Sequence, residues 1–138
     1  MTSIFLDSSY ILALEFVRDQ HHHVAREHWQ TLATTAPNII TTSYIFDEVV
    51  TFLNRRGFHA RAKIVGHNLL SSSAVNLIHV GPELFYEGWQ YFQHYDDKLY
   101  SLTDCISFVV MNQYGVTQVL SFDQHFAQAG FTPLPLNQ

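Results

Sequence analysis

Four carboxylic acids stand where apolar segments end or where helical spacing begins: Asp7, Glu48, Asp104 and Asp123. Asp7 closes the apolar run IFL, and Asp123 follows the apolar run VLSF. Carboxylates that share one site repel one another and raise one another's pKa unless a cation lies between them. If the fold brings these four acids together, they predict a metal site.

Each acid also has a structural explanation when it is considered alone. Asp104 completes the pattern Ser-x-x-Asp, a variant of the capping box at helix N-termini. Asp7 and Asp123 stand at turn positions, where aspartate often bonds its own backbone. A position facing solvent explains Glu48 equally well. The functional interpretation therefore depends on the four acids meeting in the fold.

The ligand atoms decide which chemistry such a cluster supports. Oxygen ligands without a cysteine or a group of partner histidines favour Mg²⁺ or Mn²⁺ over zinc. Such an ion lowers the pKa of a bound water and stabilises charge on a phosphoryl oxygen. Ser8 and Ser121, next to two of the acids, are placed to orient a carboxylate or a metal-bound water, although ordinary turn serines are the alternative. Either one or two ions fit this pattern.

Apolar periodicity divides the chain into alternating strands and helices. Short apolar runs predict strands at 2–6, 38–42, 75–80 and 116–122, with a last strand near 132–136. Helical spacing predicts helices at about 9–17, 19–32, 43–57, 58–70, 82–95 and 101–115, then a short helix before Gly130. Asp19 is the predicted N-cap of the second helix. This alternation predicts a three-layer α/β/α domain with a mostly parallel central sheet over residues 1–138, because no repeat or linker divides the chain.

The topology of a parallel sheet explains how distant acids can meet. In open parallel sheets, sites form beyond the carboxyl ends of the strands. Asp7 ends the first predicted strand and Asp123 ends the fourth, so both point to this rim. Glu48 lies in the second turn of the helix after the second strand, and Asp104 lies in the first turn of the helix that Ser101 opens. The sequence therefore predicts one acidic cluster at one edge of the sheet.

Other reactive residues give weaker evidence for a catalytic or metal-binding role. Helical residues 21–23, the run HHH, point about 100° apart and cannot chelate one ion together, so a partly exposed helix start is preferred. His125 is a candidate proton donor or phosphate contact, with a structural role as the alternative. Cys105 has no evident partner base and is assigned to the core. The aromatic segment 84–95 is assigned to the core or to a dimer interface rather than to base stacking.

Composition restricts the class of protein. A chain of 138 residues that is 47% hydrophobic fits a globular fold. One cysteine excludes an intramolecular disulfide and agrees with a cytoplasmic address. No segment approaches the ~18 apolar residues of a membrane span, and no signal peptide is evident. We expect a soluble cytoplasmic protein without a membrane segment.

The charge distribution is uneven. The net charge of −5 argues against a broadly basic nucleic-acid binder. Four of the seven basic residues nevertheless fall within nine positions: Arg55, Arg56, Arg61 and Lys63. This segment is either a solvated helix end or a patch that contacts phosphates beside the acidic site. The second interpretation predicts an affinity for nucleic acid that falls as salt rises.

Four segments resemble the motifs of the PIN domain family, metal-dependent nucleases that include the toxin ribonucleases of VapBC-type toxin–antitoxin pairs. The segments are IFLDSSYILAL, TTSYIFDEVVTFL, YSLTDCISFVVMNQYG and VLSFDQHFAQAGF, with further support from DQHHHVA. They follow the family's order over nearly the whole chain. The resemblance implies that the four acids form a metal site, and that Asp97 and Ser121 line it. It also implies that Mg²⁺ or Mn²⁺ activates water to cut RNA, leaving a 5′-phosphate and a 3′-hydroxyl.

Two functions of different classes follow from the resemblance. The first is a Mg²⁺- or Mn²⁺-dependent endoribonuclease, the toxin of a pair with a small antitoxin, acting on RNA as a homodimer. The alternative is a catalytically weak PIN-fold binding module that acts through protein or RNA partners, which the acidic charge favours. A receiver-like domain also gathers acids at a sheet rim, but it requires an acidic pair after the first strand and a lysine after the last. Neither feature is present.

Overall fold

The computed structural model describes residues 2–136. Within them, five strands form one sheet: β1 (Ser3–Leu6), β2 (Asn38–Thr42), β3 (Val75–Ile78), β4 (Gln118–Leu120) and β5 (Thr132–Leu134). The strand order is β3-β2-β1-β4-β5, and all neighbouring strands are parallel. The predicted α/β/α architecture is confirmed, with a sheet that is entirely parallel.

The helices connect these strands. They are α1 (Ser8–Glu15), α2 (His22–Ala33), α3 (Ser43–Arg55), α4 (His59–Ser71), α5 (Pro82–His94), α6 (Leu102–Tyr114) and α7 (Gln124–Gln128). Gly57 and Gly115 follow α3 and α6 with φ of +83° and +65°, the left-handed conformation that ends helices and that glycine adopts without strain. Pro82 stands at the first turn of α5, where its missing N–H costs no hydrogen bond.

Two predicted element boundaries were wrong in ways that affect the site. The fourth strand ends at Leu120, so Asp123 follows it by three residues instead of ending it. The second helix begins at His22, and Asp19 does not cap it. Asp19 Oδ1 accepts the His21 N–H at 2.8 Å, which closes a turn before the helix, and His21 occupies the N-cap position without a side-chain bond.

The sheet and α6 supply the centre of the core. Phe5 of β1 and Phe108 of α6 are fully buried. Cys105 is also fully buried, and burial raises the pKa of its thiol to about 11, so the thiol stays protonated at neutral pH. Its assignment to the core is confirmed. In the aromatic segment, Gly88 packs against α6 while Trp89 is exposed, so only one face of α5 belongs to the core.

Gly88 is a point of close approach between α5 and α6. A methyl group there would overlap Ile106 Cγ1. We expect Gly88→Ala to lower the free energy of unfolding by ~1 kcal/mol or more in urea denaturation, because overpacking outweighs the better helix propensity of alanine. Gly66→Ala is the matched control, since its methyl meets the half-buried ring of Phe46 at 3.2 Å, and we expect a smaller change. A Gly88→Ala protein as stable as its parent contradicts this account.

No helix within residues 2–136 combines the length and the apolar character that crossing a membrane requires.

Candidate active site

Asp7 is the N-cap of α1 and lies next to the end of β4. Its Oδ2 accepts hydrogen bonds from Ser9 Oγ at 2.6 Å, Ser121 Oγ at 2.8 Å and the Ser9 N–H at 3.4 Å. Only 3% of the residue is exposed. Burial raises its pKa to about 6, the two serine hydroxyls oppose this shift, and the nearby charges of Asp104 and Asp123 add to it. Asp7 is therefore a buried carboxylate that other acids crowd.

Asp104 closes the N-terminus of α6 through a capping box. Its backbone N–H donates to Ser101 Oγ at 3.0 Å, and its Oδ2 accepts the Ser101 N–H at 3.1 Å. The same Oδ2 lies 2.8 Å from His125 Nδ1. Burial raises the pKa of Asp104, and the hydrogen bonds from Ser101 and His125 act against this shift. The structural explanation from the sequence is correct, but it accounts for one oxygen only.

Asp123 is the N-cap of α7. Its Oδ1 accepts the His125 N–H at 2.9 Å and lies 3.3 Å from His125 Nδ1. Ligand atoms of Asp104, Asp123 and His125 lie within 4.8 Å of one another. The ends of α6 and α7 thus bring two carboxylates and an imidazole into one cluster.

Glu48 approaches this cluster from α3. It is half-buried, and burial raises its pKa to about 7. A hydrogen bond with Ser8 opposes this shift, whereas the charges of Asp7 and Asp104 add to it. The fold therefore brings Glu48 within electrostatic range of Asp7 and Asp104, and Asp7 within range of Asp104 and Asp123.

The three aspartates share one hydrogen-bonding pattern. The bonds to each converge on a single oxygen: Oδ2 of Asp7, Oδ2 of Asp104 and Oδ1 of Asp123. The other oxygen of each carries none of these bonds and is free to bind a cation. Burial and neighbouring carboxylates raise the pKa values of Asp7 and Asp104. Hard, anionic oxygens crowded in this way suit Mg²⁺ or Mn²⁺, which would relieve their repulsion. The residues present fit a divalent metal ion.

The other predicted site residues are distributed unevenly. Ser121 Oγ donates to Asp7 Oδ2, and Ser8 lines one cleft with Glu48. Asp97 lies in the turn before α6, where its side chain is 70% exposed and pairs with Lys98 at 3.6 Å. It faces solvent and takes no part in the hydrogen bonds described above.

Sequence reasoning missed Ser9. Its Oγ donates to Asp7 and accepts the Phe122 N–H at 3.0 Å, so it joins α1 to the segment after β4. The available signal was its place in the first turn of α1, two residues after the capping aspartate, where a short polar side chain can reach back to the cap.

The basic segment lines three clefts that share residues. Arg55 and Arg56 line a cleft of about 600 Å³ together with Ser8 and Glu48. Arg61 pairs with Glu15 at 3.6 Å and lines a neighbouring cleft with Arg56. Lys63 lines a groove between α3 and α4 together with Arg55. The four basic residues therefore lie along adjoining clefts, on both sides of the turn at Gly57.

Arg56 is held by aromatic rings. Its guanidinium carbon lies 4.3 Å from the centre of the Phe52 ring and 5.7 Å from that of Phe16. Contacts of a cation with aromatic faces stabilise the charged head in a defined place. Arg56, which lines the same cleft as Glu48, is therefore held in a defined place beside that acid.

Comparison with known proteins agrees with this arrangement. Residues 4–132 match the family model described as PIN domain. The chain is 34% identical over 128 residues to the 23S rRNA-specific endonuclease VapC20 of Mycobacterium tuberculosis, spanning 93% of this chain and 95% of that protein. The crystal structure of VapC20, a sarcin–ricin loop cleaving toxin, matches with a TM-score of 0.84 at 32% identity, over 94% of this chain and 96% of that one.

A second solved structure shares the fold. FitAcB from Neisseria gonorrhoeae matches with a TM-score of 0.64 over 94% of this chain and 95% of that one. At 14% identity this likeness concerns the fold alone. The family-model match and the identity to VapC20 extend over nearly the whole chain, and they confirm the resemblance seen in the motifs. The chain belongs to the PIN domain family.

Proposed function

We propose that the protein is a metal-dependent endoribonuclease that hydrolyses RNA phosphodiesters at Asp7, Glu48, Asp104 and Asp123. One observation carries the proposal. Each of the three aspartates uses one oxygen for the protein's own hydrogen bonds, and the other oxygen carries none of these bonds. Acids that lie close together, each with one oxygen outside these hydrogen bonds, are suited to holding a metal. Purely structural capping does not require like charges nearby.

The metal is proposed to be Mg²⁺ or Mn²⁺. When bound, such an ion lowers the pKa of a water and neutralises developing charge on a phosphoryl oxygen. The protein's own contribution is to hold the ligands. Ser9 and Ser121 hold Asp7, the Ser101 backbone holds Asp104, and Ser8 holds Glu48. Asp97 is proposed to line the outer edge of the site from the turn before α6.

RNA is proposed to approach along the cleft lined by Arg55 and Arg56. These arginines share the cleft with Glu48, so a phosphate bound there lies beside the acidic cluster. Arg61 and Lys63 are proposed as contacts to more distant phosphates, since they lie in neighbouring grooves.

Replacing Arg55 and Arg56 together by alanine is expected to weaken RNA affinity and to flatten its salt dependence. Each lost phosphate contact lowers the magnitude of the slope of log K against log salt by about 1. Binding of an uncleaved RNA at several salt concentrations measures the slope. Arg26→Ala, an exposed arginine of α2, is the control. An unchanged slope in the double variant removes these arginines from RNA binding.

The biological role is proposed to be that of a toxin. VapC20 is named as a 23S rRNA-specific endonuclease and as a sarcin–ricin loop cleaving toxin. We propose that this protein acts on ribosomal RNA in the cytoplasm, that a small antitoxin neutralises it, and that it forms a homodimer. The exposed rings of Tyr86, Trp89 and Phe92 on α5 support an interface there.

The proposal is tested by incubating the purified protein with 23S rRNA, a sarcin–ricin loop oligonucleotide and an unrelated structured RNA. Mg²⁺ or Mn²⁺ should produce a discrete cut with a 5′-phosphate end, and EDTA should abolish it. A protein that binds the metal but cuts none of these RNAs would favour the alternative, a PIN-fold binding module without effective catalysis.

A further inference from the structure

His125 contacts two of the proposed metal ligands at once. Its Nδ1 lies 2.8 Å from Asp104 Oδ2 and 3.3 Å from Asp123 Oδ1. The side chain is 21% exposed, and the edge of the Tyr100 ring packs against it with a centroid distance of 5.5 Å. The imidazole is therefore fixed by packing as well as by hydrogen bonds.

The direction of this hydrogen bond follows from the chemistry of its partners. A carboxylate that binds a metal is ionised and can only accept hydrogen bonds. The proton must then be on Nδ1 of His125, which donates it to Asp104 Oδ2. That oxygen also accepts the Ser101 N–H, so its position is determined from two sides.

We infer that His125 is a positioning residue that acts through Nδ1 and turns Asp104 so that its Oδ1 faces the metal. The same Nδ1 lies against Asp123 Oδ1, which leaves Asp123 Oδ2 for the cation. Outer hydrogen bonds of this kind orient ligating carboxylates and commonly change metal affinity by ~10–100-fold. The inference rests on the proposed metal site, but not on RNA being the substrate.

Two substitutions distinguish whether His125 acts through Nδ1 or through Nε2. The amide N–H of asparagine lies near the place of Nδ1, whereas that of glutamine reaches the place of Nε2. If His125 acts through Nδ1, His125→Asn keeps Mn²⁺ affinity within about threefold, while His125→Gln and His125→Ala lower it ~10–100-fold. Isothermal titration calorimetry with Mn²⁺ alone measures these affinities. His23→Ala is the control, because this exposed histidine is the last of the HHH run and pairs with Glu27 of α2.

Other outcomes overturn the inference. Retention by His125→Gln with loss in His125→Asn assigns the role to Nε2. Equal losses in all three variants, with unchanged urea denaturation curves, make the imidazole itself a metal ligand. Equal retention in all three removes His125 from the site, and a parent that binds no Mn²⁺ overturns the inference directly. Because none of these measurements uses RNA, failure of the proposed ribonuclease activity is distinguished from failure of this inference.

Discussion

Asp7→Asn is expected to lower the rate of metal-dependent RNA cleavage by ~10²–10³-fold, the range seen when one essential electrostatic group is removed. The change removes more than a charge. Two hydroxyls, of Ser9 and Ser121, donate to Asp7 Oδ2, so the asparagine must keep its carbonyl oxygen there. Its amide nitrogen then occupies the place of Oδ1 and directs N–H groups, which cannot bind a cation, toward the metal.

Single-turnover cleavage of a labelled RNA measures this effect. Glu27→Gln is the control, because Glu27 is an exposed acid of α2 that pairs with His23 at 3.3 Å. We expect its rate to stay near that of the parent. Cleavage by Asp7→Asn within a few-fold of the parent would place the chemistry at a different site or in a contaminating nuclease.

The fold was largely predictable from the sequence because its elements have clear periodicities. Apolar β-branched runs such as NIITT can pack only as buried strands between helices, and Gly57 and Gly115 end helices with left-handed backbone. The end of β4 was harder to predict from the sequence. Phe122 continues the apolar pattern of the strand, but its N–H donates to Ser9 Oγ instead of to a neighbouring strand. A side chain from α1 thus ends the strand, and local sequence does not show that contact.

The acidic cluster was predictable because it depends on topology. Parallel strands end at one rim, so the acids after β1, β2 and β4 had to approach one another. The sequence also suggested that capping and metal binding were competing roles. The structure shows that the two roles are compatible for Asp7, Asp104 and Asp123, because a carboxylate has two oxygens and the cap uses one.

Contacts between distant elements decide what sequence reasoning missed or left open. Ser9 reaches Ser121 because β1 and β4 are neighbours in the sheet. His125 reaches Asp104 because α7 lies beside the start of α6. Arg61 was grouped with Arg55 because the two are close in sequence, but the turn at Gly57 places them on different helices.

The metal-free protein is expected to lose stability as pH rises from about 4 to 7. Burial raises the pKa of Asp7 from 3.8 to about 6 and that of Glu48 from 4.5 to about 7. In this interval the unfolded chain releases these protons while the folded protein retains them. Well below the unfolded pKa values both states are protonated and neither group costs stability. The free energy of unfolding therefore falls as the pH rises, and the loss is complete only once the pH has passed through the folded-state pKa of Glu48, about 7.

The buried Asp7 alone accounts for ~3 kcal/mol of this loss, at about 1.4 kcal/mol for each unit of pKa. The half-exposed Glu48 adds less, because solvent screens it. His28 acts in the opposite direction, since burial lowers its pKa and the unfolded chain binds its proton first.

Urea denaturation of parent and Asp7→Asn, in EDTA from pH 4 to 8, isolates the Asp7 contribution as a difference. We expect Asp7→Asn to become the more stable protein above pH 6, and saturating Mn²⁺ to reverse this order because it binds the parent more tightly. A difference between parent and Asp7→Asn that stays flat over this range would show that Asp7 ionises without penalty, and its carboxylate would then have no electrostatic need for a cation.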